Sequence, residues 1–437
     1  MFSRMLDAVD SLSTHSIPRM AALAPVVPPR ILNLRARMAF KESIAWAGSR
    51  SAYYRTKFAA HRIDATRIRS IGDLGDFYTW PEDVQNDPDQ FLCAPPQLVF
   101  ETSGTTGTPK RAYFSYAEIE RLSRYEACAL YYQGVRSDDR ILCTFDQGFW
   151  VTGPVTEATF RHLNVFGSVV GKMPTEEALR RIRNDRYTVL LTDPTWLVTL
   201  TDTARHAGST PQLKFILCGG DRLSDRTRND AQKVWGCPVL QGYGTTETGG
   251  VIAGECMERD GMHIDEFNLM VEIVEKDSDG FGEIVVTTLS RRVMPLIRYR
   301  TRDVARMIET ACRCGSTIRR ISTLKARRDE MVVMGAGNIY PLMLEKLVEP
   351  IPNWPGVWQV VVFQHDGHDV LEFRIARNGA ALASADQLRH SVEDQIRLQQ
   401  PGMWSNLQCS MYRIGVAAVP AERFVATRKV RRLIDER

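Results

Sequence analysis

Nowhere in these 437 residues is there an apolar run of about 18, the least that crosses a bilayer as a helix. That excludes a conventional membrane span. The apolar patch Met20–Val27 near the start is broken by Pro25, flanked by Pro18, Pro28 and Pro29, and followed by no cleavage-like end, so an intracellular, cytoplasmic protein with no membrane partner is expected. Charge of one sign is also missing: 56 Lys and Arg against 52 Asp and Glu leave a net charge of +4, mixed along the chain. Without a basic stripe interleaved with aromatics, a nucleic-acid partner is not expected. No internal repeat or low-complexity segment occurs. What is present is 44% hydrophobic and 25% charged, the balance of a globular chain long enough for a large core and two domains.

The most informative stretch is Thr102-Ser103-Gly104-Thr105-Thr106-Gly107-Thr108-Pro109-Lys110. Glycines let main-chain N–H groups turn toward an anion, the hydroxyls add donors, and Lys110 supplies a mobile positive charge. Together they describe a loop that closes over a polyphosphate. The ordinary P-loop does not fit, because Pro109 and Arg111 stand where Gly and Ser/Thr belong and a proline has no N–H to give.

This run resembles the phosphate-binding signature of the adenylate-forming superfamily: acyl-CoA synthetases, peptide-synthetase adenylation domains and luciferases. Partner motifs follow in order. Tyr243-Gly244-Thr245-Thr246-Glu247 is similar to the signature whose Tyr lies against adenine, whose second Thr meets the α-phosphate and whose Glu helps hold Mg²⁺. Tyr299-Arg300-Thr301-Arg302-Asp303 is similar to the one whose Asp accepts hydrogen bonds from the ribose hydroxyls; a salt bridge to a neighbouring arginine is the other reading of Asp303. Arg327-Arg328-Asp329 resembles the hinge, with Arg327 on the nucleotide. Lys429 matches the lysine that bridges carboxylate and α-phosphate, although Arg428 precedes it where the family has glycine, and a solvated basic surface is its alternative.

These residue types suit the chemistry without the family. A carboxylate attacking the α-phosphorus of ATP is repelled by the triphosphate, so Mg²⁺, lysines and hydroxyls must neutralise it. Lys110, Thr246, Glu247 and Lys429 are the candidate catalytic residues; Thr102, Ser103, Gly104, Thr105, Thr106, Gly107, Gly219, Gly220, Asp221, Tyr243, Gly244, Thr245, Asp303 and Arg327 are the candidate nucleotide ligands.

From Arg140 to Gly244, strands at Ile141–Phe145, Val165–Val170, Thr188–Leu191 and Phe215–Cys218 alternate with helices at Glu176–Asn184 and Pro194–His206, which predicts a parallel sheet crossed by helices. Ligands of such sheets sit at the carboxyl ends of strands, where Cys218-Gly219-Gly220-Asp221 and Gln241-Gly242-Tyr243 fall. Hairpins are expected from Met270, then a strand over Leu296–Met307 whose arginines make one wet face. After Asp329 a small α+β tail is predicted: helices at Pro341–Val348 and Ala385–Gln399, strands at Val357–Gln364, Val370–Ala376 and Gln408–Ile414. The expected architecture is α/β: a large multi-sheet adenylating domain over residues 1–328 and a small mobile α+β lid over 329–437, hinged at Asp329.

Nine cysteines in such a chain read as core residues or metal ligands rather than disulfides. Cys93, Cys128, Cys143, Cys218, Cys237 and Cys409 have apolar surroundings. Cys256, His263, Cys312 and Cys314 supply three thiolates and an imidazole, the donors of a closed structural zinc site. The spacing alone leaves open a reduced pair in a hairpin turn with an exposed His263. The phenylacetate–CoA ligase branch of the superfamily carries a similar Cys…His…Cys-x-Cys set, occupied by zinc in some members.

The wording of Tyr299–Asp303 and Ala326–Met331 also resembles that branch. The resemblance implies ATP-dependent activation of an aromatic acid as acyl-AMP with release of pyrophosphate, then transfer to CoA, with ATP, Mg²⁺, CoA and zinc in attendance. Gly335–Asn338 would face the acceptor, and Phe149, Trp150 and Trp196 are candidate pocket aromatics. Two alternatives stay open: an ATP-dependent diazotase that activates nitrite against an aromatic amine, and a catalytically inactive nucleotide binder. A homodimer is compatible with the sequence.

Overall fold

The computed structural model describes residues 15–437 other than 103–108, 146, 209, 328–331, 335–336, 340, 353, 355, 366–367, 377–383, 409–410, 421–423 and 425–431. Ser103–Gly107 of the phosphate loop, the hinge residue Asp329 and Lys429 therefore lie outside the described residues, as do Arg328, Gly335, Ala336 and Cys409. The chain divides into two compact units, residues 1–301 with 305–323, and residues 302–304 with 324–437. No helix among the described residues is long and apolar enough to cross a membrane.

The first unit is built around a nine-stranded sheet. Val239–Thr245, Phe215–Cys218, Val189–Thr192, Arg140–Cys143 and Phe166–Val169 run side by side in parallel. Gly250–Glu255 and Met262–Ile264 extend the sheet antiparallel from Val239–Thr245. The inner parallel strands read as near-continuous apolar runs because both faces are covered, whereas the edge strand Phe166–Val169 is partly exposed. Ile141, Cys143, Val189, Leu191 and Phe215 join one cluster with the helix Tyr116–Tyr132, while Leu142, Leu190, Ile216 and Cys218 join another beneath Thr175–Asn184 and Pro194–His206. The second helix runs over the predicted residues, with the Asp193 carboxylate accepting from the Trp196 N–H at 3.0 Å and Pro194 in its first turn. Trp196 itself is core: it is buried, and its indole N–H donates to the Met173 carbonyl.

Leu269–Val274 and Gly282–Thr288 form the predicted hairpin, turned by Asp277, whose Oδ1 accepts from the N–H groups of Asp279 and Phe281. The wet face expected on the next strand is dry at Arg298 and Arg300, while Arg302 stays partly exposed. Tyr299–Ala305 begins just after Arg298, and Arg298 and Arg300 are both buried. Glu272 neutralises Arg298, Glu275 and Glu283 neutralise Arg300, and the rings of Tyr78 and Trp80 cover the guanidinium groups. Carboxylates on neighbouring strands, invisible in a local pattern, allow a charged row to be buried.

The second unit has its own core, centred on Trp354, Trp358, Leu371 and Phe373. Its sheet runs Tyr412–Val419, His368–Ala376, Trp358–His365, Leu433–Asp435. Helices at Pro341–Val348 and Ala385–Gln399 fall where predicted. The last long strand begins four residues later than expected, because Pro401 opens a further helix, Pro401–Gln408, with its preset φ.

Candidate active site

The phosphate-loop run joins two short antiparallel strands, Leu98–Glu101 and Arg111–Phe114. Its neck is closed twice: the Thr102 N–H donates to the Lys110 carbonyl at 3.0 Å, and the Lys110 N–H donates to Thr102 Oγ1 at 3.1 Å. Thr102 thus fixes where the loop starts and where Lys110 leaves it. Phe149 stands beside this neck, its carbonyl accepting from Glu101 N–H and its ring largely exposed.

The second motif occupies the end of Val239–Thr245 and the turn into Gly250–Glu255. Tyr243 is buried, and a register shift falls between Tyr243 and Gly244. Gly244 must be glycine, since a Cβ there would lie 2.2 Å from the Gly250 carbonyl oxygen. The Thr245 and Thr248 hydroxyls meet at 3.1 Å, and the Gly249 N–H donates to the Thr246 carbonyl, so the turn presents Thr246 and Glu247 from a pinned backbone. Gly219 and Gly220 follow the neighbouring strand; Gly219 N–H donates to Thr192, Gly220 has φ +78°, and Asp221 Oδ1 accepts from Arg222 N–H.

Glu247 joins the hairpin to this turn. Its carboxylate is 5% exposed, with Lys110 Nζ 3.0 Å from Oε1 and the Tyr299 hydroxyl donating to the same atom at 2.8 Å. Burial by itself would push its pKa up; the Lys110 charge and the hydrogen bonds to the carboxylate outweigh that and hold it below the ordinary carboxylate range. A buried acid is thereby kept ionised, as a ligand for a hard cation must be.

Two residues of this arrangement were not singled out from sequence. Tyr299 was read only as motif wording, yet it holds the Glu247 side chain. Arg291, 2% exposed, holds its backbone: Nη1 donates to the Glu247 carbonyl, Nη2 to the Tyr113 carbonyl, and the guanidinium lies over the Phe114 ring and pairs with Glu118. Glu118 also caps its own helix through Ser115 and accepts from the N–H groups of Arg292 and Val293. Nothing local in the sequence marks either contact.

In the second unit Asp303 pairs in register with Arg327, and their side chains meet at 3.3 Å. Asp303 thus makes a salt bridge, and its partner is the other proposed nucleotide residue rather than an arginine beside it in the motif.

Cys256, His263, Cys312 and Cys314 come together, their ligand atoms all within 4.8 Å of one another. Cys256 Sγ and Cys312 Sγ are 3.7 Å apart, and Cys314 Sγ is 3.3 Å from His263 Nε2. Two thiolates on one tetrahedral zinc stand about 3.8 Å apart, whereas a disulfide needs about 2.05 Å. His263 Nδ1 lies 3.2 Å from the Ile318 carbonyl, which orients Nε2 into the cluster as second-sphere partners of metal-bound histidines do. The alternative with His263 exposed is not the one adopted.

A parallel sheet with a hydroxyl-rich hairpin, a pinned acidic turn and a buried Lys–Glu pair at its edge defines an adenylate-forming enzyme, and the family model described as AMP-binding enzyme matches residues 72–285. Phenylacetate-coenzyme A ligases are its relatives: that of Pseudomonas putida is 26% identical over 74% of this chain and 76% of its own length, that of Aromatoleum evansii 26% over 81% and 85%. A crystal structure of 2-hydroxyisobutyryl-CoA ligase in the postadenylation state shares the fold, with TM-score 0.81 at 17% identity over 95% of this chain and 91% of that one. The chain is thus similar to the adenylate-forming superfamily, and within it to the phenylacetate–CoA ligase-like branch.

Proposed function

We propose that the protein is an AMP-forming acid–CoA ligase acting on an aromatic carboxylic acid. The observation that carries this is the Lys110–Glu247–Tyr299 arrangement at the neck of the phosphate hairpin. In the first half-reaction an oxygen of the substrate carboxylate bonds to the α-phosphorus of ATP, the bond to the β-phosphate bridge breaks, and pyrophosphate leaves. Lys110, paired with Glu247, would supply positive charge to the triphosphate, while the Tyr299 hydroxyl keeps the Glu247 carboxylate in place. Mg²⁺ held by Glu247 would supply charge neutralisation on the triphosphate. By resemblance Thr246 and Lys429 would serve the α-phosphate, Tyr243 and Gly219–Asp221 the adenine, and Asp303 and Arg327 the ribose and nucleotide. In the second half-reaction the CoA thiolate attacks the acyl carbonyl and AMP departs, a far better leaving group than the original hydroxide. Bound at the cysteine–histidine cluster, zinc would tie the strand Met262–Ile264 to the loops carrying Cys256, Cys312 and Cys314.

Pyrophosphate release with ATP, Mg²⁺ and a panel of aromatic acids tests the reading, run with and without CoA and with products identified by mass. Thioester formation dependent on CoA is expected. Release that requires nitrite and an aromatic amine would move the assignment to diazotisation, and ATP binding without any release would make the chain a non-catalytic binder.

A further inference from the structure

Glu126 is a buried acid that the adenylation chemistry does not use. It lies on the helix Tyr116–Tyr132 facing the helix Thr152–Leu163, and its partner among the described residues is the Thr156 hydroxyl, which donates to it at 3.4 Å. No lysine, arginine or histidine there pairs with it. Protein surrounds the carboxyl and burial pushes its pKa up to about 7, yet the side chain keeps partial contact with water. A core position would have an apolar residue here, since leaving an acceptor of this kind under-satisfied costs about 1–3 kcal/mol. An acid enclosed by protein but still wetted belongs to the wall of a crevice.

Glu126 lies toward the business end of the sheet. Glu126 and Thr156 both lie near the Cys143 thiol, the last residue of the strand Arg140–Cys143, and open α/β sheets bind ligands at such carboxyl ends. Two residues on, the Phe145 ring is 3.4 Å from where a Cβ of Gly219 would lie. One helical turn before Glu126, Leu122 packs against Gly249, two residues past Glu247, and joins Val151, Val155, Phe100 and Phe114 of the phosphate hairpin in one cluster. Glu126 thus sits one helical turn beyond a residue packed on the hairpin and the Glu247 turn, and faces the helix Thr152–Leu163 through Thr156.

We propose that Glu126 is a specificity-determining residue of the acid pocket, and that the acid activated here carries a hydrogen-bond-donating substituent, a hydroxyl or an amine, which Glu126 receives while Thr156 orients it. The inference rests on the acid-activating reading above and deepens it by naming the substrate class. A pocket built to accept a hydrogen bond rejects the analogue that lacks the donor far more strongly than an apolar pocket rejects a changed methyl.

The test is a matched series of aryl acids bearing hydroxyl, amino, methoxy, methyl or no substituent, with kcat/KM for pyrophosphate release and calorimetric affinity measured on native enzyme, Glu126→Gln and Glu126→Leu. Native enzyme should favour donor-bearing acids over the methyl and unsubstituted ones by at least ~100-fold. Glu126→Leu should abolish that gap. Glu126→Gln, whose amide oxygen still accepts a hydrogen bond, should keep both hydroxyl and amino acids within ~10-fold. Equal losses across the series, or a gap that survives Glu126→Leu, would overturn the proposal while leaving the ligase reading intact. Absence of turnover with every acid would sink the ligase reading instead; the calorimetric gap then decides Glu126 by itself, and thermal melts of both variants show that they fold.

Discussion

Glu247 is an acid whose burial would neutralise it but for two neighbours, and this gives it a definite signature. Its folded pKa is depressed, so the stability it contributes is present above the unfolded carboxylate value and is lost as pH falls through the folded one. Lys110→Met should remove the opposing charge, raise that pKa and move the acid-side melting transition of the ligand-free protein to higher pH, read by thermal denaturation across pH 3–7 (about the carboxylate range). Tyr299→Phe deletes one hydroxyl from a packed position; a fold change of about 1 kcal/mol or less and a KM for MgATP raised about tenfold are expected, by calorimetry and steady-state kinetics. An unchanged KM would mean that the hydroxyl only satisfies burial. Glu126 has the opposite sign. Its folded pKa is raised, so the folded protein binds more protons than the unfolded one between the ordinary carboxylate range and about 7, and stability falls as pH rises through that window. Glu126→Gln should therefore melt higher than native at pH 8 by an amount on the order of 2 kcal/mol, limited by the acid's contact with water, and the gain should vanish below about pH 4.

At the scale of elements, the hairpin and the acidic turn are held as a pair by Arg291. Its guanidinium reaches Tyr113 on one, Glu247 on the other and Glu118 behind both. Arg291→Met leaves Glu118 buried without its cation and should cost about 3–5 kcal/mol in urea denaturation, with the double variant Arg291→Met/Glu118→Gln recovering part of the loss. The cysteine–histidine cluster is a second such tie. Metal analysis of untagged protein should find about one equivalent of zinc, and chelation or Cys312→Ser should remove it and lower the melting temperature. A metal-free protein of unchanged stability would assign the cluster to packing. Both ties join residues far apart in the chain. The cysteine set was readable because its donor types are rare and chemically specific, whereas Arg291 is one of many arginines and becomes distinctive only among its partners.

At the scale of the whole molecule, the prediction concerns Lys429 and the second unit. If Lys429 bridges carboxylate and α-phosphate, Lys429→Ala should slow acyl-AMP formation by several hundred-fold or more, an order typical of losing one charge-stabilising donor, and leave thioester formation from preformed acyl-AMP near native. Equal losses in both half-reactions, measured by pyrophosphate release and by thiol consumption, would remove that role. The parallel sheet, its helices and the two-unit division were legible because each follows from local rules: apolar runs of strand length, Pro and Asp at helix starts, a Gly-rich turn beyond a strand. Lys110, Tyr243–Glu247 and Asp303 stand out as candidates in the sequence because phosphate and ribose chemistry allows few side-chain types. Less was legible where charge is buried. The arginine row at Arg298 and Arg300 looked like a solvated face, since a strand's own alternation cannot say which carboxylates and rings will cover it. The sequence by itself determined the class of enzyme and the inventory of reactive groups, because those depend on residue identity and order. Only the tertiary structure decided how the groups are held: that Thr102 closes the loop, that Tyr299 and Arg291 share the work of placing Glu247, that four metal-type donors converge, and that Glu126 meets the Thr156 hydroxyl. Those outcomes depend on distances between residues tens to hundreds of positions apart, which local propensity does not encode.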